Sequence, residues 1–229
     1  MEKLAYLLKQ RSPRAFRAIE ATARAAVELR YGRRLNSVEQ KATITGTVDG
    51  HDSVIRPLGC QDAHQLNEFL DSLPPAYLRY FQPHSFDLSG LQSVLRSRAF
   101  LTYGLFVRNS LVCYALLKIA PTGSAYIGRL VHPDFGGMGL GKFLSGYLRW
   151  QASLAGLRAR STISRQNVAS LRSHQAVSEF KIVAELPDDY LMIEFPAVPR
   201  EKPELNLPKQ GERRNKNGLT GERRKAKGC

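Results

Sequence analysis

VHPDFGGMGLGKFL, residues 131–144, carries an apolar strand-like run through a glycine-rich turn into the first coil of an amphipathic helix. Glycines let a backbone come close to a ligand, the N–H groups that open a helix lack intrahelical acceptors, and the macrodipole adds roughly half a positive charge there. The stretch therefore builds an anion site from Gly136, Gly137, Met138, Gly139, Leu140, Gly141 and Lys142. A nucleotide P-loop is one reading, since Gly136, Gly141 and Lys142 satisfy G-x-x-x-x-G-K; Phe143, however, stands where a Ser or Thr must hold magnesium. A dinucleotide fingerprint is another, but Gly137, Gly139 and Gly141 give G-x-G-x-G rather than G-x-G-x-x-G. Residues 155–165, where that fingerprint wants an acid for the ribose, contain none.

Upstream of the loop, apolar runs at 100–107, 111–119 and 125–131 are separated by the short turns Arg108-Asn109-Ser110 and Pro121-Thr122-Gly123-Ser124, which predicts an antiparallel meander. Before them come a short strand at 53–58 and a helix behind Asp62 with Ala63, Leu66, Phe69, Leu70 and Leu73 on one face, closed by Pro74-Pro75. Shorter helical regions follow around 76–81 and 88–97. Downstream, Leu140, Phe143, Leu144, Tyr147 and Leu148 recur at helical spacing up to Gly156. A strand at 158–163, a helix after Asn167, and strands at 181–186 and 190–195 complete the pattern. Meander followed by alternation predicts an α+β fold, a mixed and mostly antiparallel sheet of about seven strands flanked by helices.

The loop resembles the pyrophosphate motif of the GNAT acetyltransferase family, V-x-P-x-x-[RQ]-G-x-G-[IL]-G, with Val131, Pro133, Gly137, Gly139, Leu140 and Gly141 matching. Gly136 replaces the usual Arg or Gln. A second segment, NVASLRSHQAVSEF at 167–180, resembles the family's N-x-x-S-x-x-x-[YH]-x-x-x-G-F through Asn167, Ser170, His174 and Phe180, with one extra residue and Glu179 in place of the glycine. The resemblance runs over about 53–195. It implies a GNAT-like fold and N-acetyl transfer from acetyl-CoA, the acyl-donor substrate, to a primary amine by direct attack in a ternary complex, with no metal. The pyrophosphate would lie on residues 136–142, the thioester oxygen on the backbone N–H of Leu130 or Val131, and Asn167 would border the pantetheine arm.

The same resemblance places a glutamate on the strand before the loop as the usual base, but 125–131 holds no acid. Tyr126 sits near that position and His132 ends the strand, so either could relay a proton or be structural. His174 takes the position of the family's proton-donating Tyr; with an unperturbed pKa of ~6.5 it can serve a leaving thiolate or simply hydrogen-bond beside the cofactor. Acceptor residues are expected in 74–86, where Tyr77, Tyr80, Phe81, His84 and Phe86 could stack on a sugar or pack in the core. A small amine such as an amino sugar is the first expectation and a protein N-acetyltransferase the second. A non-catalytic CoA-binding domain, its basic tail weakly binding a polyanion, is the third.

Composition frames these readings. The chain has 229 residues, 43% of them hydrophobic, enough for one substantial core, and no apolar run of membrane-spanning length. The N-terminus shows no signal-peptide pattern, so a soluble cytoplasmic protein is expected. Cys60, Cys113 and Cys229 form neither a disulfide framework nor a metal knuckle, and Cys60, Asp62 and His64 match no zinc spacing. Net charge is +14. Residues 1–50 are expected to hold a basic amphipathic helix from Ser12 to Tyr31, with Phe16, Ile19, Ala23, Val27 and Tyr31 as its stripe, then a polar linker. Residues 53–196 form the expected acetyltransferase domain. Residues 200–229, with ten Lys/Arg against four Glu, are expected to be a disordered tail. A homodimer is left open.

Overall fold

The computed structural model describes residues 13–175, 179–197 and 201–208. Helix α1, Pro13–Gln40, outruns the expected helix by more than two turns. Tyr31, Leu35 and Val38 continue the spacing set by Val27, and all four are buried. Burying Leu35 and Val38 contributes roughly 1.5–3 kcal/mol each, which outweighs the ~1 kcal/mol that Gly32 costs inside a helix. Ile19, expected on the same stripe, is 49% exposed. The supposed linker also contains strand β1, Ile44–Val48, paired antiparallel with β2, His51–Pro57. Asp49 and Gly50 join them with φ of 54° and 79°, so that Asp-Gly is a hairpin turn rather than the end of a linker.

The remaining elements follow the expected order. They are α2 (Ala63–Asp71), α3 (Pro75–Leu78), α4 (Leu88–Leu95), β3 (Phe100–Val107), β4 (Ser110–Ile119), β5 (Ser124–Val131), α5 (Leu140–Leu154), β6 (Arg158–Ser164), α6 (Val168–Gln175), β7 (Lys181–Leu186), β8 (Tyr190–Glu194) and β9 (Leu205–Leu207). Among the described residues the sheet has nine strands, ordered β7-β8-β6-β5-β4-β3-β2-β1-β9, antiparallel except at β5–β6 and β1–β9. The two strands beyond the expected seven are β1 and β9. β9 lies in the stretch expected to be disordered; Leu205 is buried there and its carbonyl passes so close to Gly46 that a Cβ would meet it at 1.8 Å. The rest of the expected tail, 209–229, lies outside the described residues.

Local chemistry explains the turns. Arg108 and Asn109 adopt φ of 49° and 66° between β3 and β4, and Gly123 takes 83° before β5. Asp87 caps α4 by accepting from the Gly90 N–H at 2.8 Å, which with the Ser85 and Ser89 hydroxyls holds its carboxyl well below the usual range. Neighbouring residues of β4 point to opposite faces. On Ala115's face, its cross-strand partner Tyr103 meets Tyr147 of α5 edge-on at 5.0 Å, and Tyr147 donates to the Ala42 carbonyl at 2.8 Å. On Tyr114's face lies the segment after α3, with Phe81 edge-on to Tyr114 at 6.1 Å.

Candidate active site

β5 and β6 run parallel through three register pairs, Ser124 with Arg158, Ala125 with Ala159 and Tyr126 with Arg160, and then part. β5 continues to Val131 against β4, while β6 continues to Ser164 against β8. Between them opens a cleft of about 580 Å³ lined by Tyr126, Leu130, Val131, Gly141, Asn167 and His174 among others. The His132 N–H donates to the Val112 carbonyl at 2.9 Å. Backbone direction alternates along a strand, so Leu130 and Gly128 also turn their N–H to β4, whereas Ile127, Arg129 and Val131 turn theirs into the cleft. Of the two expected oxyanion donors, parity therefore favours Val131 and directs Leu130 away.

Past Val131 a single 3₁₀ turn, Pro133–Phe135, leads to Gly137 and Gly139, with φ of 73° and 77°, and the N–H of Phe143 closes the first helical bond on the Gly139 carbonyl at 3.0 Å. The N–H groups of Leu140, Gly141 and Lys142 precede that bond and have no acceptor within α5. A Cβ on Gly137 would meet nothing within 4 Å, so its open side is available to a ligand. A Cβ on Gly136 would stand 2.9 Å from the Pro133 carbonyl oxygen; the departure from Arg or Gln accompanies a tighter turn here. Leu140 is buried and can meet a ligand through its backbone alone, Met138 packs partly against the core, and Lys142 is exposed. Asn167 Oδ1 accepts from the Ser170 N–H at 3.1 Å as the cap of α6, which leaves its amide NH2 to offer a ligand.

Of the expected catalytic side chains, the cleft gathers Tyr126 and His174 and leaves out His132. His132 does not line the cleft; its ring lies near Phe69 and Phe135, and its Nδ1 accepts from the Asp134 N–H at 3.3 Å. Tyr126 lines the cleft and hydrogen-bonds Arg160, which is ion-paired to Glu194 at 2.7 Å. His174 also lines it, but is only 2% exposed, receives a hydrogen bond from Arg129 Nη1 to Nε2 at 3.0 Å, and packs on Phe195. Burial, then the positive charges of Arg129 and Arg149, push its pKa down to about 3. Of the two roles expected for His174, this lowering suits an imidazole hydrogen-bonded beside a ligand better than a proton donor.

Sequence reasoning passed over the cations. Arg79, Lys118 and Arg129 line the cleft, and among the described residues no carboxylate does. Arg129 is pushed down to about 10 by burial and stays protonated at neutral pH. The signal was present: Arg129 alternates with Ala125, Ile127 and Val131, an inward charge in an apolar strand face. Lys118 carried the same mark, alternating with Val112, Tyr114 and Leu116 in an apolar run, whereas Arg79 carried none. Phe81, His84 and Phe86 pack among themselves and against Tyr114, and Tyr77, Tyr80 and Phe81 line the cleft, with Tyr77 49% exposed. Cys60 is exposed and Asp62 is engaged by Arg56 at 2.7 Å; no group of three His, Cys, Asp or Glu suited to a metal occurs among the described residues.

A mixed sheet whose parallel pair parts beside a glycine turn that opens a helix is the fold of the GNAT N-acetyltransferases. The chain is similar to the GNAT domain of S. lividans PAT, at 13% identity over 68% of this chain and 97% of that one, with a TM-score of 0.59. It is similar to the PaiA N-acetyltransferase of Thermoplasma acidophilum in complex with coenzyme A, at 18% identity over 62% and 98%, with a TM-score of 0.53. It is also similar to Mycobacterium smegmatis RimJ in complex with CoA-disulfide, at 16% identity over 67% and 86%, with a TM-score of 0.51. No family model matches the chain, and neither does any curated protein.

Proposed function

We propose that this chain is an acetyl-CoA-dependent N-acetyltransferase acting on a small primary amine. The observation that carries the reading is the parting of β5 from β6 after Tyr126, directly upstream of the glycine turn. It leaves inward N–H groups on β5 upstream of those that open α5, which suits a long ligand with a diphosphate at one end and an acyl carbonyl near the other. Acetyl-CoA supplies the electrophilic carbon. The amine nitrogen bonds to that carbon, the carbon–sulfur bond breaks, and the thiol leaves with a proton. Val131, Arg129 or Ile127 offers an N–H to the oxyanion as it forms. The diphosphate rests on the N–H groups of Leu140, Gly141 and Lys142.

Acid–base work is light in this site. With no carboxylate among the described residues that line the cleft and His174 held neutral, proton transfers run through water or through Tyr126, which lines the cleft and hydrogen-bonds Arg160. The cations oppose the ammonium form of a bound amine and so help to supply the neutral nucleophile. Two measurements test the assignment: thermal shift with acetyl-CoA, then thiol release across a panel of amines. A shift with no turnover on any amine favours a non-catalytic CoA-binding domain, and no shift at all overturns both.

A further inference from the structure

Arg79 and Lys118 also line a second cleft, of about 740 Å³, between α2, α3 and the segment 82–86, so both cations stand where the two clefts adjoin. Their head groups rest on aromatic faces: the Arg79 guanidinium lies 5.3 Å from the Tyr80 ring centroid and the Lys118 ammonium 5.5 Å from that of Phe100. Two of the polar side chains nearby are neutral at neutral pH. His84 hydrogen-bonds Tyr114 at 2.8 Å and is kept from charging by burial and by Lys118, while the Tyr190 hydroxyl is raised by burial and by its neighbours Tyr80 and Asp188. Among the described residues one carboxylate, the exposed Asp71, lines the second cleft and none lines the first.

Position separates these cations from the diphosphate. Lys118 pairs with Tyr126, the last residue of β5 still joined to β6, whereas the glycine turn begins after Val131. Five residues of strand span ~17 Å, beyond the reach of a lysine or arginine that also borders the second cleft. The acyl carrier's phosphates and this positive end therefore occupy opposite ends of the opening.

We propose that the acceptor is an amine that carries its own anion, a carboxylate or a phosphate, and that Arg79 and Lys118 hold that anion where the two clefts adjoin. The inference rests on the acyl-transfer reading for the amine's role, but the anion site is testable without it. A charged acceptor of this kind balances the field of the cleft, whereas a polyamine or a lysine-rich peptide adds like charge to it.

The experiment compares matched ligands that differ in the anion alone: the common L-amino acids with their carboxamides, and phosphoethanolamine with ethanolamine. Binding is measured by calorimetry with CoA present, and thiol release is measured in parallel with spermidine as the cationic control. At least one anionic member should bind about tenfold or more tighter than its neutral partner. Arg79→Gln and Lys118→Met should each erode that preference, with KM for acetyl-CoA unchanged. The amino-acid and phosphate arms identify which anion is used. Equal binding within every pair, binding by no anionic member, or a preference for spermidine overturns the proposal. A chain that selects the anion yet neither binds acetyl-CoA nor releases thiol refutes the acyl-transfer reading and leaves the anion site standing.

Discussion

His174 pairs an imidazole with a guanidinium in an interior that favours neither extra charge nor water. Its folded pKa of about 3 lies below the ordinary value near 6.5, so the unfolded chain binds a proton that the folded one refuses. Stability from this group is whole above pH ~6.5 and is lost as pH falls toward 3, a linkage on the order of 5 kcal/mol in full. His84, lowered mainly by its own burial, contributes in the same direction. Urea unfolding at pH 7 and pH 4.5 should show a smaller pH dependence in His174→Gln than in the parent; an unchanged dependence would count against the buried neutral imidazole. Because burial exceeds Arg129 as the cause, Arg129→Met should return the His174 pKa only part of the way to 6.5, as imidazole NMR titration can record. In the loop, Gly139 holds a φ of 77° that costs an L-residue about 1–2 kcal/mol. Gly139→Val should accordingly weaken acetyl-CoA binding about tenfold or more, with the melting temperature lowered less than a core truncation lowers it.

Helix α1 and the hairpin it feeds are the elements whose role was least apparent beforehand. The stripe Val27-Tyr31-Leu35-Val38 was partly legible, but Gly32 and the polar run after it read as a break. Burial overrode propensity there, since Leu35 and Val38 enter the core. Leu35→Ala should therefore cost about 2–5 kcal/mol by chemical denaturation, the penalty of a core cavity. A surface helix would lose a few tenths. β9 is harder still to foresee, because a three-residue strand has no periodicity to detect. Gly46→Val would drive a side chain into the Leu205 carbonyl. Hydrogen exchange at residues 205–207 should then accelerate selectively, while exchange in β4 and β5 stays as it was. The meander, by contrast, was legible to within a residue, as tight turns bounded each apolar run.

At the scale of the molecule, an apolar fraction of 43% and a charge of +14 describe a cored, basic protein without saying where its charge acts. No described helix is long and apolar enough to cross a membrane. What the order of residues determined alone was local: the glycines that permit positive φ, the turn that starts α5, and the turn-bounded apolar runs that make strands of 100–131. Those features depend on neighbours in the chain, so one-dimensional spacing suffices to see them. Only the tertiary structure decided that β5 and β6 part after Tyr126, that burial beside Arg129 holds His174 neutral, that His132 stays out of the cleft, and that Arg79 and Lys118 border both clefts. Such facts arise from contacts between distant segments, where packing and desolvation, rather than spacing, set which groups meet and what charge each one carries.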